Sequence, residues 1–431
     1  MNKILIYFKQ AWNLIKQEKL FSSIYIIGTA LSIMIVMVLS IVLYLKIANV
    51  YPETNRDRML VMSRAMEKSE NNTRITGLSY SFIETVLLSL KNQVIVTATT
   101  DSWEEHYAET DKDKGRIEVK IKSIDTNFWK VFPFRFIDGK PFTEADYQSE
   151  VKTAVIAESL ARKLFGTIQV AGKYVKLDLK PYRISGVVKD ASFLTPETFA
   201  HLWIPHSKTL ITSPNGETGG LGSFTAYLLV PSAEKLNNTK KEINQNIQKF
   251  NSMLKGWEFS TGGQPDKYWQ YVLRGYDMEP NFTKIIIRYI LIILILLLIP
   301  AVSLAGMIES RMERRLAEIG VRRAFGSPIH TIINQIITEN FLFTVIGGIV
   351  GLILSFVVFI VGKDWVMRIG QSFADTPPQG TETIIYPEML FNIHVFAVAL
   401  IISFLLNLLC SLIPAWRASH KEITYSLNAK Q

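Results

Sequence analysis

A glycine-rich turn followed by lysine can cradle phosphate, and one such run stands at Gly166-Thr-Ile-Gln-Val-Ala-Gly172-Lys173-Tyr174. A working phosphate loop has four residues between its glycines and a Ser or Thr after the lysine to hold Mg²⁺. Here five residues separate the glycines, Tyr174 follows the lysine, and the neighbours read as helix, turn, strand instead of strand, loop, helix. No nucleotide is expected there. His201 and His206 bracket Leu-Trp-Ile-Pro, and their odd separation along a strand sets them on opposite faces, with no Asp, Glu or Cys beside them to complete a metal site. Serines are plentiful, but no Gly-x-Ser-x-Gly elbow occurs and nothing in the spacing sets a His–Asp pair beside one. The single cysteine, Cys410, excludes an intrachain disulfide or a CxxC pair. No catalytic, metal-ligating or cofactor-binding residue is expected, and the chain does not read as an enzyme.

The elements that would position any site are dominated by four apolar stretches in the 431 residues: 20–45, 289–308, 341–361 and 395–413. A helix crosses a bilayer with ~20 apolar residues, so four membrane spans are expected. The first is too long for the apolar part of a cleaved signal peptide and is read as a retained anchor. Lys3, Lys9, Lys16 and Lys19 precede the first span; Arg311, Arg314, Arg315, Arg322 and Arg323 follow the second; Arg417, Lys421 and Lys430 follow the fourth. Only Lys363 and Arg368 stand between the third and fourth. The positive-inside rule then puts both termini and 309–340 in the cytoplasm. Most of the net +9 charge lies on that face, and the outer segment is mildly basic with signs interspersed, so nucleic acid is not an expected partner.

The expected organisation is a cytoplasmic amphipathic helix at 1–19, the first span at 20–45, and a large extracytoplasmic α/β domain at 46–288. The second span at 289–308 leads into a cytoplasmic segment at 309–340, the third span at 341–361, a short outer loop at 362–394, the fourth span at 395–413 and a tail at 414–431. The fold class is thus an α-helical membrane protein with four transmembrane helices and a mixed α/β domain between the first and second. Within the domain, alternation predicts strands over Leu60–Arg64, Val94–Thr99, Ile117–Ile124, Thr153–Ile156, Tyr174–Leu179, Arg183–Val188, Phe224–Val230 and Tyr268–Leu273. Helices are predicted at Ser79–Leu90, at Glu158–Phe165 stopped by Gly166, and at Ser232–Leu254. Ser260-Thr-Gly-Gly-Gln264 is similar to an ATPase signature loop but falls on the outer side, where ATP is scarce.

The cytoplasmic segment carries the most specific pattern. From Glu309 to Phe325 it reads as a basic helix with Leu316, Ile319, Gly320 and Arg323 on one stripe and Glu318 paired with Arg322 at i, i+4. Gly326 suits the residue after a helix and Pro328 forbids continuation. Gly320 lowers helix stability by ~1 kcal/mol relative to Ala, which points to close approach of another backbone. Gly347 and Gly351 form a small-x-x-x-small pair for packing in the membrane. Glu339 and His394, near their ends, are the only ionisable side chains of the last two spans, so no polar pathway through the bilayer is expected.

Ala-Glu318-Ile319-Gly320-Val-Arg322-Arg323-Ala-Phe-Gly326, the glycines at 347, 348 and 351, and Ile413-Pro414-Ala415-Trp-Arg417-Ala418 resemble the permease module of the MacB/FtsX family of ABC transporters. Asp138–Asp146, Ala157–Gly166 and Tyr182–Asp190 are similar to the outer domain of MacB-type permeases, so the resemblance covers nearly the whole chain. It implies a non-catalytic permease subunit of the bacterial inner membrane. A separate cytoplasmic ABC ATPase would receive a coupling helix bearing Arg314, Arg315, Glu318, Ile319, Gly320, Arg322, Arg323 and Gly326. It also implies a second permease copy or paralogue, membrane lipid around the spans, and a periplasmic adaptor with an outer-membrane channel. Export of antibiotics, peptides or other amphipathic molecules is the implied function; LolC-like lipoprotein extraction and FtsX-like activation of a cell-wall hydrolase are the alternatives.

Overall fold

The computed structural model describes residues 16–368 except 91–92, 103, 111–114, 213–215, 217, 315–320, 322–323 and 327, with scattered positions before 16 and between 393 and 409. These residues form two compact units, one from the chain before 44 with 286–366 and the stretch beyond 390, the other chiefly from 44–285. The helices of seven residues or more are α1 (Lys19–Ile47), α2 (Tyr80–Leu90), α3 (Glu158–Phe165), α4 (Leu236–Ser252), α5 (Tyr268–Arg274), α6 (Phe282–Arg314) and α7 (Ile329–Arg368).

In the membrane unit, α1 and the Ile333–Gly362 part of α7 are long and apolar enough to cross a bilayer. The predicted second span lies within α6, which runs unbroken through Pro300. The predicted fourth span is described only at scattered helical positions. Helix α7 continues to Arg368, beyond the expected end of its span.

The outer unit is built on strands β1 (Met59–Met62), β2 (Ala65–Lys68), β3 (Thr73–Leu78), β4 (Ile95–Asp101), β5 (His106–Glu109), β6 (Ile117–Val119), β7 (Ile121–Ile124) and β8 (Phe136–Gly139). It continues with β9 (Thr153–Ala157), β10 (Tyr174–Leu177), β11 (Lys180–Val188), β12 (Leu202–Pro205), β13 (Leu221–Gly222), β14 (Thr225–Leu229), β15 (Glu258–Ser260) and β16 (Asp266–Lys267). The main sheet has the order β16-β1-β14-β4-β7-β12-β9-β11-β10-β5-β6, with β8 on β11; a smaller sheet runs β13-β3-β2-β15. Pairing is antiparallel except for β9 with β11 and β7 with β12, the mixture an α/β unit gives. Strand β1 shows why its sequence is apolar at every position. Alternate side chains point to opposite faces, and here Met59 and Val61 enter one core while Leu60 and Met62 enter the other.

Two expectations change. Tyr268–Leu273 is helix α5, not a strand. Its aromatic content is strand-like, but the Lys267 N–H donates to Gln270 Oε1 at 3.2 Å to open a helical turn, and Tyr268, Tyr271 and Val272 share the face on the first core. Ile117–Ile124 is two strands, not one. The break falls at Lys120, whose N–H donates to His201 Nδ1 at 3.0 Å and whose carbonyl accepts from His201 N at 2.8 Å, so β6 pairs β5 and β7 pairs β4 and β12.

Candidate functional site

The look-alike phosphate loop is a helix stop followed by a turn into β10, in which Val170 and Ala171 N–H groups both donate to Asp138. His206 is buried, its Nε2 3.0 Å from the Ala98 carbonyl, and burial holds its pKa down at about 4. His201, depressed to about 4 by burial and by Lys163 and Lys120, accepts the Lys120 N–H. Among the described residues no group of three His, Cys, Asp or Glu side chains could hold a metal.

One constellation that spacing did not show is present. His106 lies between Ser102 Oγ, 2.6 Å from Nε2, and Asp178 Oδ2, 2.6 Å from Nδ1. That is the linear order of a hydrolytic triad. Ser102 is exposed and the Asp178 side chain is 42% exposed, so nothing there excludes water from a nucleophile or concentrates charge on an oxyanion. The arrangement fastens the β10–β11 turn to β5, with Tyr107 N also donating to Asp178.

Two buried arginines stand instead within the outer unit, one in the stretch just after α1 and one just before α6. At the exit of α1, the Arg56 Nη1 donates to the carbonyls of Leu45 at 2.7 Å and Ala48 at 2.8 Å. The last carbonyls of a helix have no partner within it, and a cation there also complements the helix dipole. Arg56 is 2% exposed and its Nε donates to Glu53 Oε2 at 2.9 Å. Glu53, fully buried, accepts in addition from Tyr268 Oη at 2.8 Å and from Thr198 N and Oγ1 at 3.1 and 3.0 Å. The Tyr268 ring lies 4.7 Å from the guanidinium carbon. Every oxygen of the buried carboxylate is therefore matched, the condition under which such a pair is tolerated.

At the entrance of α6 the device is repeated. Arg274, at the end of α5, forms a two-pronged ion pair with Asp266 through Nε and Nη2, and both residues are buried. Its Nη2 also donates to Gly262 O at 3.0 Å, and its Nη1 to Asp277 O at 3.2 Å and Met278 O at 2.5 Å, fixing the turn into α6. Gly262 adopts φ +58°, and a Cβ there would stand 2.0 Å from the Met278 carbonyl oxygen, so only glycine fits. Asn281 caps α6 by accepting the Lys284 N–H at 3.0 Å. Both connections converge on β1, since β16 pairs with it at Leu60↔Lys267 and Val61↔Asp266.

In the membrane unit, α7 lies against α1 through its glycines. A Cβ on Gly347 would sit 2.9 Å from Thr29 Cβ, and one on Gly351 2.6 Å from Ala30 O. Gly348 faces Leu400 instead. Nearer the α7 start, Tyr25 Oη donates to Asn340 Oδ1 at 3.3 Å and Gln335 donates to the buried Glu339 at 3.0 Å. In the segment expected to couple to an ATPase, α6 reaches Arg314, Gly326 has φ +83°, and α7 begins after Pro328. Arg315, Glu318, Ile319, Gly320, Arg322 and Arg323 lie outside the described residues.

The residues that sequence reasoning missed are Glu53, Arg56, Asp266 and Arg274. The available signal was charge set against apolar runs: Arg56-Asp57-Arg58 immediately before Met59–Met62, and Asp266 and Arg274 bracketing an aromatic helix.

Comparison with known proteins bears on both units. Residues 22–246 match the MacB-like periplasmic core domain and residues 290–423 the FtsX-like permease C-terminal domain. The pyoverdine export ATP-binding/permease protein PvdT of Pseudomonas fluorescens is 25% identical over 246 residues, 55% of this chain and 35% of its own. The uncharacterized ABC transporter permease YknZ of Bacillus subtilis is 22% identical over 263 residues, 60% of each chain. The chain thus spans between about a third and three-fifths of the length of these curated relatives. Among solved structures, the periplasmic region of MacB from Actinobacillus actinomycetemcomitans aligns at 18% identity with a TM-score of 0.33, over 46% of this chain and 89% of that one.

Proposed function

Since the chain belongs to the MacB/FtsX family of ABC-transporter permeases, we propose that it turns nucleotide-driven motion at the cytoplasmic face into movement of its outer unit. In this reading four helices span the inner membrane with both termini cytoplasmic. A separate ABC ATPase dimer grips the 309–326 segment of two permease copies through Arg314, Arg315, Glu318, Ile319, Gly320, Arg322, Arg323 and Gly326. Closure of the ATPases shifts that segment, and α1 and α6 carry the shift outward. The observation that carries the reading is the pair of buried arginine clamps: Arg56, just after α1, and Arg274, just before α6, each hold backbone carbonyls and a buried carboxylate of the connecting chain. A loose linker would absorb movement; a clamp passes it on.

Substrate is then handled on the outer side. Apart from Glu339 and His394 near their ends, the last two apolar runs carry no ionisable side chain, which fits a substrate that never crosses the bundle. Relatives named for pyoverdine and macrolide export favour efflux of amphipathic molecules; in this reading an adaptor and an outer-membrane channel carry them onward. Lipoprotein extraction and signalling to a cell-wall hydrolase use the same transmission and differ in what the outer unit touches.

The test replaces Glu318 with Ala and Gly320 with Leu in the full chain, purified with its ATPase. Coupled ATP hydrolysis should fall at least tenfold while the melting temperature of the outer unit stays unchanged. Hydrolysis that remains fully coupled, or labelling that puts 309–326 outside, overturns the reading.

A further inference from the structure

Helix α5 is held by more than the Glu53 clamp. Tyr268 and Tyr271, one helical turn apart with ring centres 6.0 Å from each other, present their hydroxyls to two buried carboxylates. Tyr268 donates to Glu53 at 2.8 Å, and Tyr271 donates to Glu197. Tyr227, on β14, donates to Glu197 from the other side. The next residue, Thr198, is bonded to Glu53, so both carboxylates belong to one network.

The charges in that network do not balance. Arg56 is committed to Glu53 at 2.8 Å, and Lys122 on β7 is committed to Asp101 on β4 at 2.7 Å. Among the described residues no ion pair is made to Glu197: it feels Lys122, which is paired with Asp101, and the like charge of Glu53. Two cations thus serve three carboxylates, and the surplus one is buried between Tyr227 and Tyr271. Desolvation and a neighbouring like charge both favour the neutral acid. Burial first, and the Glu53 charge second, raise Glu197 to about 7. The tyrosines around it are themselves pushed up by burial and by Glu197, so they stay protonated donors.

We propose that Glu197 is a proton-operated latch on α5: protonated, it lets the helix that leads into α6 sit tightly on the outer unit, and ionised, it loosens that seat. A neutral Glu197 still accepts from one tyrosine and can donate its own proton to the other's oxygen, so both links survive while the repulsion with Glu53 vanishes. Ionisation leaves two negative charges beneath one short helix while the Arg56 guanidinium is already paired with Glu53. As a regulator of transmission the latch rests on the coupling reading above; as a property of the outer unit it does not. Acid outside the membrane would then stiffen the link to α6, and alkaline conditions would slacken it.

The test is hydrogen exchange of the α5 amides in the full chain in lipid nanodiscs, without nucleotide, corrected for the intrinsic pH dependence of exchange. Between about pH 6 and pH 8 the ionised fraction of a group near 7 rises roughly tenfold, and protection of α5 should fall severalfold in step. Glu197→Gln, a mimic of the neutral acid, should stay at the protected level at both pH values. Tyr271→Phe should weaken protection of α5 at both. Absence of the step in the unsubstituted chain overturns the latch, and so does a step of unchanged size in Glu197→Gln. Because no ATPase takes part, failure of the coupling reading leaves the step intact and is read separately through Glu318 and Gly320.

Discussion

At the residue scale the chain spends its most expensive interactions on two arginines. Burying an ion pair is rarely a net gain in stability, but removing one partner leaves an uncompensated charge and costs about 3–5 kcal/mol. Arg56→Met should therefore lower the stability of the outer unit by roughly that amount, because the buried Glu53 loses its ion-pair partner. Arg274→Met should do likewise through Asp266. Lysine at either position restores charge without the planar fork that reaches a carboxylate and several carbonyls together, so about half the loss should persist. Thermal melts of the purified full chain followed by tryptophan fluorescence give the check. Melting temperatures unchanged by Arg56→Met would show that the clamp is ornamental.

At the scale of elements the decisive contact is α7 on α1. Lipid offers no hydrophobic drive for two apolar helices to associate, so close backbone approach and dispersion must supply it. The glycines at 347 and 351 allow that approach against Ile26, Thr29, Ala30 and Ile33. Gly351→Leu would drive its Cβ into Ala30 O and Ile33 Cβ and should cost about 1–3 kcal/mol of bundle stability by overpacking. Gly306→Ala on α6, where an added Cβ meets nothing within 4 Å, should be neutral or slightly stabilising. Comparing the two in detergent melts separates a packing requirement from a general dislike of substitution.

At the scale of the whole molecule, four buried titrating groups in the outer unit oppose one another. Asp125, raised by burial to about 6 despite donors from Ala98, Thr97 and Phe128, and Glu197, raised to about 7, hold protons longer in the fold than in the unfolded chain. Their contribution is complete below about pH 4 and is lost as pH rises toward 7. His201 and His206, both depressed to about 4, contribute above about pH 6.5 and lose that contribution as pH falls toward 4. Over the same window the two trends offset. His206→Gln should unmask the carboxylate slope: relative to the parent, its stability should improve by up to about 3 kcal/mol between pH 6.5 and 4. Denaturant titrations at several pH values measure it, and a difference that does not vary with pH would refute the balance.

Two helices of membrane-spanning length, α1 and α7, and the mixed α/β character of the outer unit were legible because they rest on local quantities: length of an apolar run, alternation, a glycine after a helix. The family resemblance rested on short ordered motifs and was legible for the same reason. Tyr268–Leu273 misled because aromatic content is ambiguous between helix and strand until a capping contact from Lys267 and Gln270 decides it. Sequence alone determined which segments are apolar, which flanking stretches are basic and which family the chain resembles, since each is a property of residues close together along the chain. Only the tertiary structure decided that Glu53 meets Tyr268 and Glu197 meets Tyr227 and Tyr271, because those partners are brought together by the sheet order, and a buried charge shows its role only once the groups that neutralise it are in place.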